Sequence, residues 1–514
     1  MNPPMNPPVS PTMNPTVDKF NFSIALFVVC LVSLPILFFP DQTAPRIVAL
    51  YDWIADHFGI AYQWGTIIIM VFLVWLGLSR HGRIKLGRAE EQPEFSDLSW
   101  FGMLFSAGVG AGLLYWASIE WAFYAQTPPF NLEPGSPAAL SYAASYGLFH
   151  WGFAAWTIYA LPAVGIAIPY YRKNLPHLRF SSACDALLSG KPYAAPAGRI
   201  IDSFFMIALL AGAGTSLGLS VPMISACLVK LGFNPAMNID LLVTAFCIGL
   251  FSLSIYLGLH SGIRRLATFN LWLAIGFLIL VLVTGPTLFI LRLGTESLGF
   301  MLGNFVEMIT YADPVNRTGF VEDWTIFYWA WWMSFGPFVG LFVARISRGR
   351  TLRNMIFSMT VFGSVGAWMF YIVIGNYAFY LDVNDLLDVT GLVAADPAGA
   401  IAEIIGSLAW SKPALIIFSA LSIIFVATTY DSASYVLASA ASKDLQAGQN
   451  PGRGHRLFWA AVTGMMPVAL MFMAGELKTI TSMVLVASLP ILLVSGLVIW
   501  SLVKEVNAIS QQDN

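Results

Sequence analysis

Apolar runs about 20 residues long recur from one end of this 514-residue chain to the other, each closed by charged or turn-forming residues. A helix needs about 20 such residues to cross a hydrocarbon layer about 30 Å thick. Twelve runs meet that requirement, near 22–40, 62–79, 99–125, 138–171, 201–230, 239–258, 266–291, 324–345, 355–380, 413–441, 457–474 and 479–503. Composition points the same way. Hydrophobic residues are 57% of the chain and charged residues 11%, with a mean hydropathy of +0.72. Soluble domains carry about 25% charged residues, so the bilayer is the expected solvent. The expected fold class is an all-α integral membrane protein with 12 transmembrane helices.

Lys and Arg accumulate on the cytoplasmic side of membrane proteins. With the N-terminus inside, twenty of the 26 basic residues fall in inside segments and six outside. The inside clusters are Arg80–Arg88, Arg172–Arg199, Arg264–Arg265, Arg345–Arg353 and Lys443–Arg456, with Lys19 and Lys504 in the tails. Both termini are therefore expected in the cytoplasm of a bacterial cell, with the chain in its inner membrane. The Pro-rich stretch MNPPMNPPVSPTMNPTV reads as a disordered tail over 1–20.

Several function classes drop out. A net charge of −2 does not suit a nucleic-acid binder. Four scattered cysteines and six histidines without ligand spacing give neither a disulfide framework nor a zinc site. No Walker A motif marks an ATP-driven pump, and no nucleophile–base pair marks an enzyme. A secondary transporter or a channel remains.

Irregularities recur in pairs. Gly108, Gly110 and Gly112 interrupt the third run, and Gly336-Pro337 with Gly340 the eighth. Gly212, Gly214 and Gly218 fall in the fifth, and Thr428-Thr429-Tyr430-Asp431 in the tenth. Matched breaks of this kind suggest two five-helix repeats, spans 3–7 and 8–12. The chain then divides into a tail (1–20), two additional helices (21–98), a first repeat (99–291), a periplasmic amphipathic connection (292–323), a second repeat (324–504) and a short cytoplasmic tail (505–514). Close helix packing through small residues is the alternative reading of the glycines.

Glu120 and Asp431 are acids inside spans, where ionisable groups mark function by default. For Glu120 the alternative is a structural hydrogen-bond partner. Beside Asp431, Thr428 and Thr429 offer hard oxygen ligands for a small cation, unless their hydroxyls bond back to the helix. Aromatic residues are 14% of the chain. Trp151, Trp156 and Tyr159 lie within the fourth run, and Trp324, Phe327, Tyr328, Trp329, Trp331 and Trp332 in the eighth. Such π-faces, with no neighbouring carboxylate, suit a trimethylammonium group, which has no N–H to donate and is held by cation–π attraction. Lipid-facing or packing aromatics are the alternative.

The segments Trp324–Trp332 and Ala344–Thr351, with Phe149-His150-Trp151-Gly152 and the 105–112 glycine stretch, resemble the signature of the betaine/choline/carnitine transporter family. The resemblance spans runs 3–12. It implies a LeuT-type inverted 5+5 repeat, commonly a homotrimer, carrying quaternary ammonium or dimethylsulfonium solutes. The implied aromatic box is Trp151, Trp156, Tyr159 and Trp332, with Trp331 adjacent and Phe123 where the carnitine branch has Tyr. The chain is similar to the carnitine/butyrobetaine antiporter branch at 127–134, 214–219 and 311–314, but departs from it elsewhere. Asn270 stands where that branch has a sodium-replacing Arg, Val339 where it has Met, and Thr429 where it has an apolar residue. The implied sodium site is Ser106, Val109, Phe425, Thr428 and Thr429. The family's second sodium site falls on Leu209 and Ala213, which cannot supply its hydroxyls. The expectation is one Na⁺ coupled to import of a betaine, carnitine, choline, dimethylsulfonium or trimethylamine N-oxide type solute. The alternative is a sodium-independent carnitine-type antiporter.

Overall fold

The computed structural model describes residues 16–107, 110–173, 175, 179–234, 238–257, 260–443, 445, 449–471 and 477–512. Among these the fold is helical, with two isolated β-bridges (Val17 to Ser442, Lys85 to Thr351) and no strand. The principal helices in chain order are α1 (Lys19–Phe38), α2 (Pro40–Leu78), α3 (Asp97–Ala107), α4 (Ala111–Gln126), α5 (Pro137–His150), α6 (Phe153–Arg172) and α7 (Ala194–Lys230). They continue with α8 (Ile239–Leu257), α9 (His260–Thr284), α10 (Thr287–Gly303), α11 (Phe327–Ile346), α12 (Leu352–Phe370), α13 (Ser411–Ala440), α14 (Arg453–Met471) and α15 (Leu477–Gln512). Among the described residues, nine helical segments are long and apolar enough to cross a membrane, and the bent pair α3–α4 makes a tenth. Helices stand at all twelve expected places, but α8 and α14 are not among those ten.

The helix α2 begins at Pro40, well before the expected 62. Its first half is amphipathic: Tyr51, Ile54 and Ala55 are buried while Asp52, Trp53 and Asp56 face out. A search for unbroken apolar runs passes over such a segment. The connection after α9 is helical, as expected, in α10 and in Phe305–Thr310.

Of the four expected breaks, only the one in the third run interrupts a helix. The pair α3–α4 bends by 65° across residues 108–110. The helices α7, α11 and α13 run unbroken through their small-residue segments, Pro337 included. There the glycines allow close packing instead. A Cβ on Gly340 would stand 2.8 Å from the Ala163 backbone nitrogen, and one on Gly212 2.9 Å from the Phe335 ring. Two irregularities were not expected. The fourth run is broken at Trp151-Gly152, between α5 and α6, and π-helical turns occur at Val321–Ile326 and Tyr371–Gly375. Such turns in otherwise α-helical segments recur at functional sites.

Contacts sort the connections into two ends. At one end, Leu86 N donates to Arg350 O at 2.8 Å, His81 meets Ser510 at 2.9 Å, Lys173 meets Glu505 at 2.8 Å, and Lys443 N donates to Thr16 O at 2.7 Å. All of these belong to the set with the basic excess. At the other end, Lys478 bridges Asp52 (3.0 Å) and Asp323 (3.1 Å), Lys230 pairs with Glu403 (2.6 Å), and Gln126 donates to Thr390 O (3.2 Å). The grouping derived from charge alone is thus reproduced by contact.

Gly340→Val should overpack the α6–α11 contact against rigid backbone, at a cost of about 1–3 kcal/mol. A lowered thermal midpoint of the purified protein in detergent checks this; an unchanged midpoint would mean that the two helices part freely.

Candidate functional site

The site grows from the break at Trp151-Gly152. A helix end leaves its last carbonyls without intrahelical partners, and inside a bilayer water does not replace them. Here each finds a donor. Gly147 O accepts from Trp151 N (3.1 Å) and Phe149 O from Gly152 N (3.2 Å). Leu148 O accepts from the Trp368 indole (2.7 Å) and His150 O from the Trp332 indole (2.9 Å). Gly152 is required, since a Cβ there would lie 2.4 Å from Leu148 O. The break turns Trp151 inward, where its ring meets Trp332 edge-on at 4.6 Å.

Five of the six expected aromatic residues come together. Trp331 and Trp332 stack at 5.2 Å and 8°. Tyr159 stands edge-on to Trp332 at 5.8 Å and to Trp156 at 5.4 Å. All five side chains are buried. Phe123 is placed differently: it is half-buried, and its ring contacts are with Trp324 (5.3 Å) and Trp116 (6.3 Å). Gly363 seats Trp156, for a Cβ there would fall 2.1 Å from the indole.

The expectation of π-faces without a carboxylate is corrected. Glu120 lies in the middle of α4, fully buried, directly behind these rings. It accepts from the Tyr328 hydroxyl (2.6 Å), the Trp151 indole (3.2 Å) and the hydroxyls of Tyr124 and Tyr371. His150 Nδ1 is 2.8 Å from the Tyr124 hydroxyl, and its Nε2 is 3.1 Å from Thr325 Oγ1. Sequence reasoning missed Tyr124 and Tyr371, and named Tyr328 only among the aromatic residues of the eighth run. Two clues were present: Glu120 and Tyr124 are four apart on one helix, as are Tyr328 and Trp332. Tyr371 could not be foreseen, because the π turn sets its direction and Gly147 makes room for it.

The oxygen-rich candidates are distributed as follows. Ser106 Oγ donates to Met103 O (3.0 Å), and Thr428 Oγ lies within reach of Ile424 O (2.9 Å) and Phe425 O (3.1 Å). Both hydroxyls thus bond back to their own helices, the alternative to cation binding, and each oxygen keeps a lone pair for a further partner. Thr429 is half-buried and Phe425 buried on the same helix. Val109 lies outside the described residues. Leu209 and Ala213 are buried and offer no side-chain oxygen. Asp431 does not stand free beside the threonines: its carboxylate pairs with buried Arg456 of α14 at 3.2 Å. Asn270 is buried and donates to Leu421 O of α13 at 3.4 Å, one turn before Phe425.

The profile of the betaine/carnitine/choline family of transporters matches residues 20–511. The chain belongs to that family. A carnitine transporter of Acinetobacter baumannii is 32% identical over 490 residues, covering 95% of this chain and 88% of the relative. An uncharacterized transporter of Escherichia coli, YeaV, is 33% identical over 442 residues, covering 85% and 91%. The chain is therefore a multi-pass membrane transporter and not an enzyme.

Gly363→Ala should push Trp156 out of its seat while leaving the ring set otherwise intact. Near-ultraviolet circular dichroism of the purified variant should change, with helix content retained; an unaltered aromatic spectrum would show that the seat is not tight.

Proposed function

We propose that this transporter is a sodium-coupled symporter that imports a trimethylammonium or dimethylsulfonium solute. The observation that carries the reading is the buried ring set Trp151, Trp156, Tyr159, Trp331 and Trp332, which presents π-faces and, apart from the Tyr159 hydroxyl, no side-chain acceptor for the N–H groups of a primary ammonium. Each desolvated cation–π contact is worth about 0.5–2 kcal/mol. Phe123 is kept as a sixth aromatic contact on the resemblance alone, since its own ring neighbours are Trp324 and Trp116.

Sodium is assigned to the neutral oxygens of Ser106, Val109, Phe425, Thr428 and Thr429. The bend between α3 and α4 supports this, since freed carbonyls at a broken helix are cation ligands. Asn270 supports it as well. Its neutral amide reaches α13 where the antiporter branch places a cation, so no resident positive charge competes there. In this reading, sodium ties the bend to α13 and thereby orders α4 and the rings it backs. Substrate and sodium then favour the same conformation, and each raises the other's affinity. The twelve helices are read as two additional spans and a LeuT-type pair of inverted repeats that rock about the site. Both termini are cytoplasmic, and the protein assembles as a homotrimer in a bacterial inner membrane.

Proteoliposomes test the coupling. Uptake of labelled glycine betaine, carnitine or choline should require an inward sodium gradient and fail when potassium replaces sodium. Uptake indifferent to sodium but stimulated by preloaded substrate would establish exchange instead. Thr428→Ala combined with Thr429→Ala should raise the sodium concentration that half-saturates uptake. Trp332→Leu should weaken substrate binding by about tenfold or more, equivalent to one or two cation–π contacts. Binding unchanged by that substitution would count against the ring set.

A further inference from the structure

Glu120 is a fully buried carboxylate in the middle of a membrane-embedded helix. Its four donors come from four places: Tyr124 on α4, Trp151 at the α5–α6 break, Tyr328 on α11 and Tyr371 in the π turn after α12. Tyr124 donates to one carboxylate oxygen, and Trp151, Tyr328 and Tyr371 converge on the other, a shell built of donors such as an ionised carboxylate accepts. The arrangement is that of an anion. Among the described residues no Lys or Arg pairs with it, and the one basic ring nearby, His150 Nδ1, is 3.7 Å away. Asp431 shows the contrast, for its charge is met by Arg456 at 3.2 Å.

An uncompensated buried charge is costly, by several kcal/mol in a protein interior. Of its donors Trp151 belongs to the ring set, and Tyr328 and Tyr371 pack against it. Tyr328 stacks on Trp332 at 5.5 Å and 24°, and Trp151 meets both Trp332 (4.6 Å) and Tyr371 (5.9 Å). A hydroxyl or indole N–H that donates to an anion pushes electron density into its ring. The ring face becomes more negative and attracts a cation more strongly.

We infer that Glu120 is the counter-charge of the aromatic site, acting through Trp151, Tyr328 and Tyr371, so that the site selects a permanent onium charge over a neutral group of the same shape. This rests on the proposed onium reading of the ring set and adds to it the residue that sets charge selectivity. Glu120 touches no substrate in this scheme; it is a positioning and charge-setting residue. A zwitterion would bind with its own carboxylate directed away from α4.

The test compares onium compounds with their carbon isosteres. Choline is paired with the dimethylbutanol that replaces nitrogen by carbon, and glycine betaine with the corresponding dimethylbutanoate. Dissociation constants are read from tryptophan fluorescence of the full chain in detergent. The unaltered protein should prefer the onium member of a pair by about tenfold or more. In Glu120→Gln that preference should fall about tenfold, with the neutral member's affinity little changed. Equal weakening of both members would show a structural role only and overturn the inference while leaving the onium reading intact. Failure of the unaltered protein to bind either onium compound or carnitine would overturn the reading and the inference together. If Glu120→Gln does not fold, Tyr328→Phe and Tyr371→Phe, which keep the rings and remove single hydroxyls, should each lower the onium preference selectively; an unchanged ratio in both would overturn the inference.

Discussion

A backbone carbonyl released inside a bilayer has to find its donor within the protein, and the break at Trp151-Gly152 meets that demand with two indoles. Trp332 and Trp368 reach from α11 and α12 to the last carbonyls of α5. Each such bond averts a penalty of about 1–3 kcal/mol. The same bonds fix the azimuth of α11, and with it the faces of Trp331 and Trp332. They also leave Trp151 as the residue at the turn, aimed at those faces. The aromatic site is thus a by-product of satisfying backbone polarity: Trp332 is held through its indole on His150 O, and Trp151 through its own on Glu120.

Much of this was legible in the chain. The spans were readable because hydrocarbon thickness imposes one length on all of them, and the two ends because Lys and Arg distribute asymmetrically. The ring residues were readable as positions, since spacing along a helix decides which side chains share a face. Directions were less accessible. Glycines at 212, 336 and 340 looked like interruptions, yet in place they let helices pack closely, Gly212 against the Phe335 ring and Gly336 and Gly340 against the backbone of α6, and sequence alone does not separate these uses. The carboxylate behind the rings was also hidden. Glu120 is some thirty residues from Trp151 and over two hundred from Tyr328, so only the fold brings them together. Phe123 shares α4 with Glu120, yet three residues of helix turn it toward Trp116 and Trp324.

The two intramembrane acids illustrate how differently a buried charge can be accommodated. Asp431 is neutralised by a resident arginine and thereby binds α13 to α14. Glu120 is solvated by neutral donors, which spread its charge over aromatic rings without cancelling it. The first arrangement is closed, since both charges are already spent. The second leaves the carboxylate without a resident cation among the described residues.

At the end with the basic excess, the chain's first described residues are laced to the C-terminal end of α13. Lys443 N donates to Thr16 O and Asp18 N to Ala441 O, each at 2.7 Å, and the Asp18 carboxylate meets Arg199 of α7 at 3.3 Å. The helix so anchored is the one that carries Thr428 and Thr429. A load hung just ahead of Thr16, whether a fusion partner, an affinity tag or a surface tether, therefore pulls on that helix as a lever does and not as a weight on a slack rope.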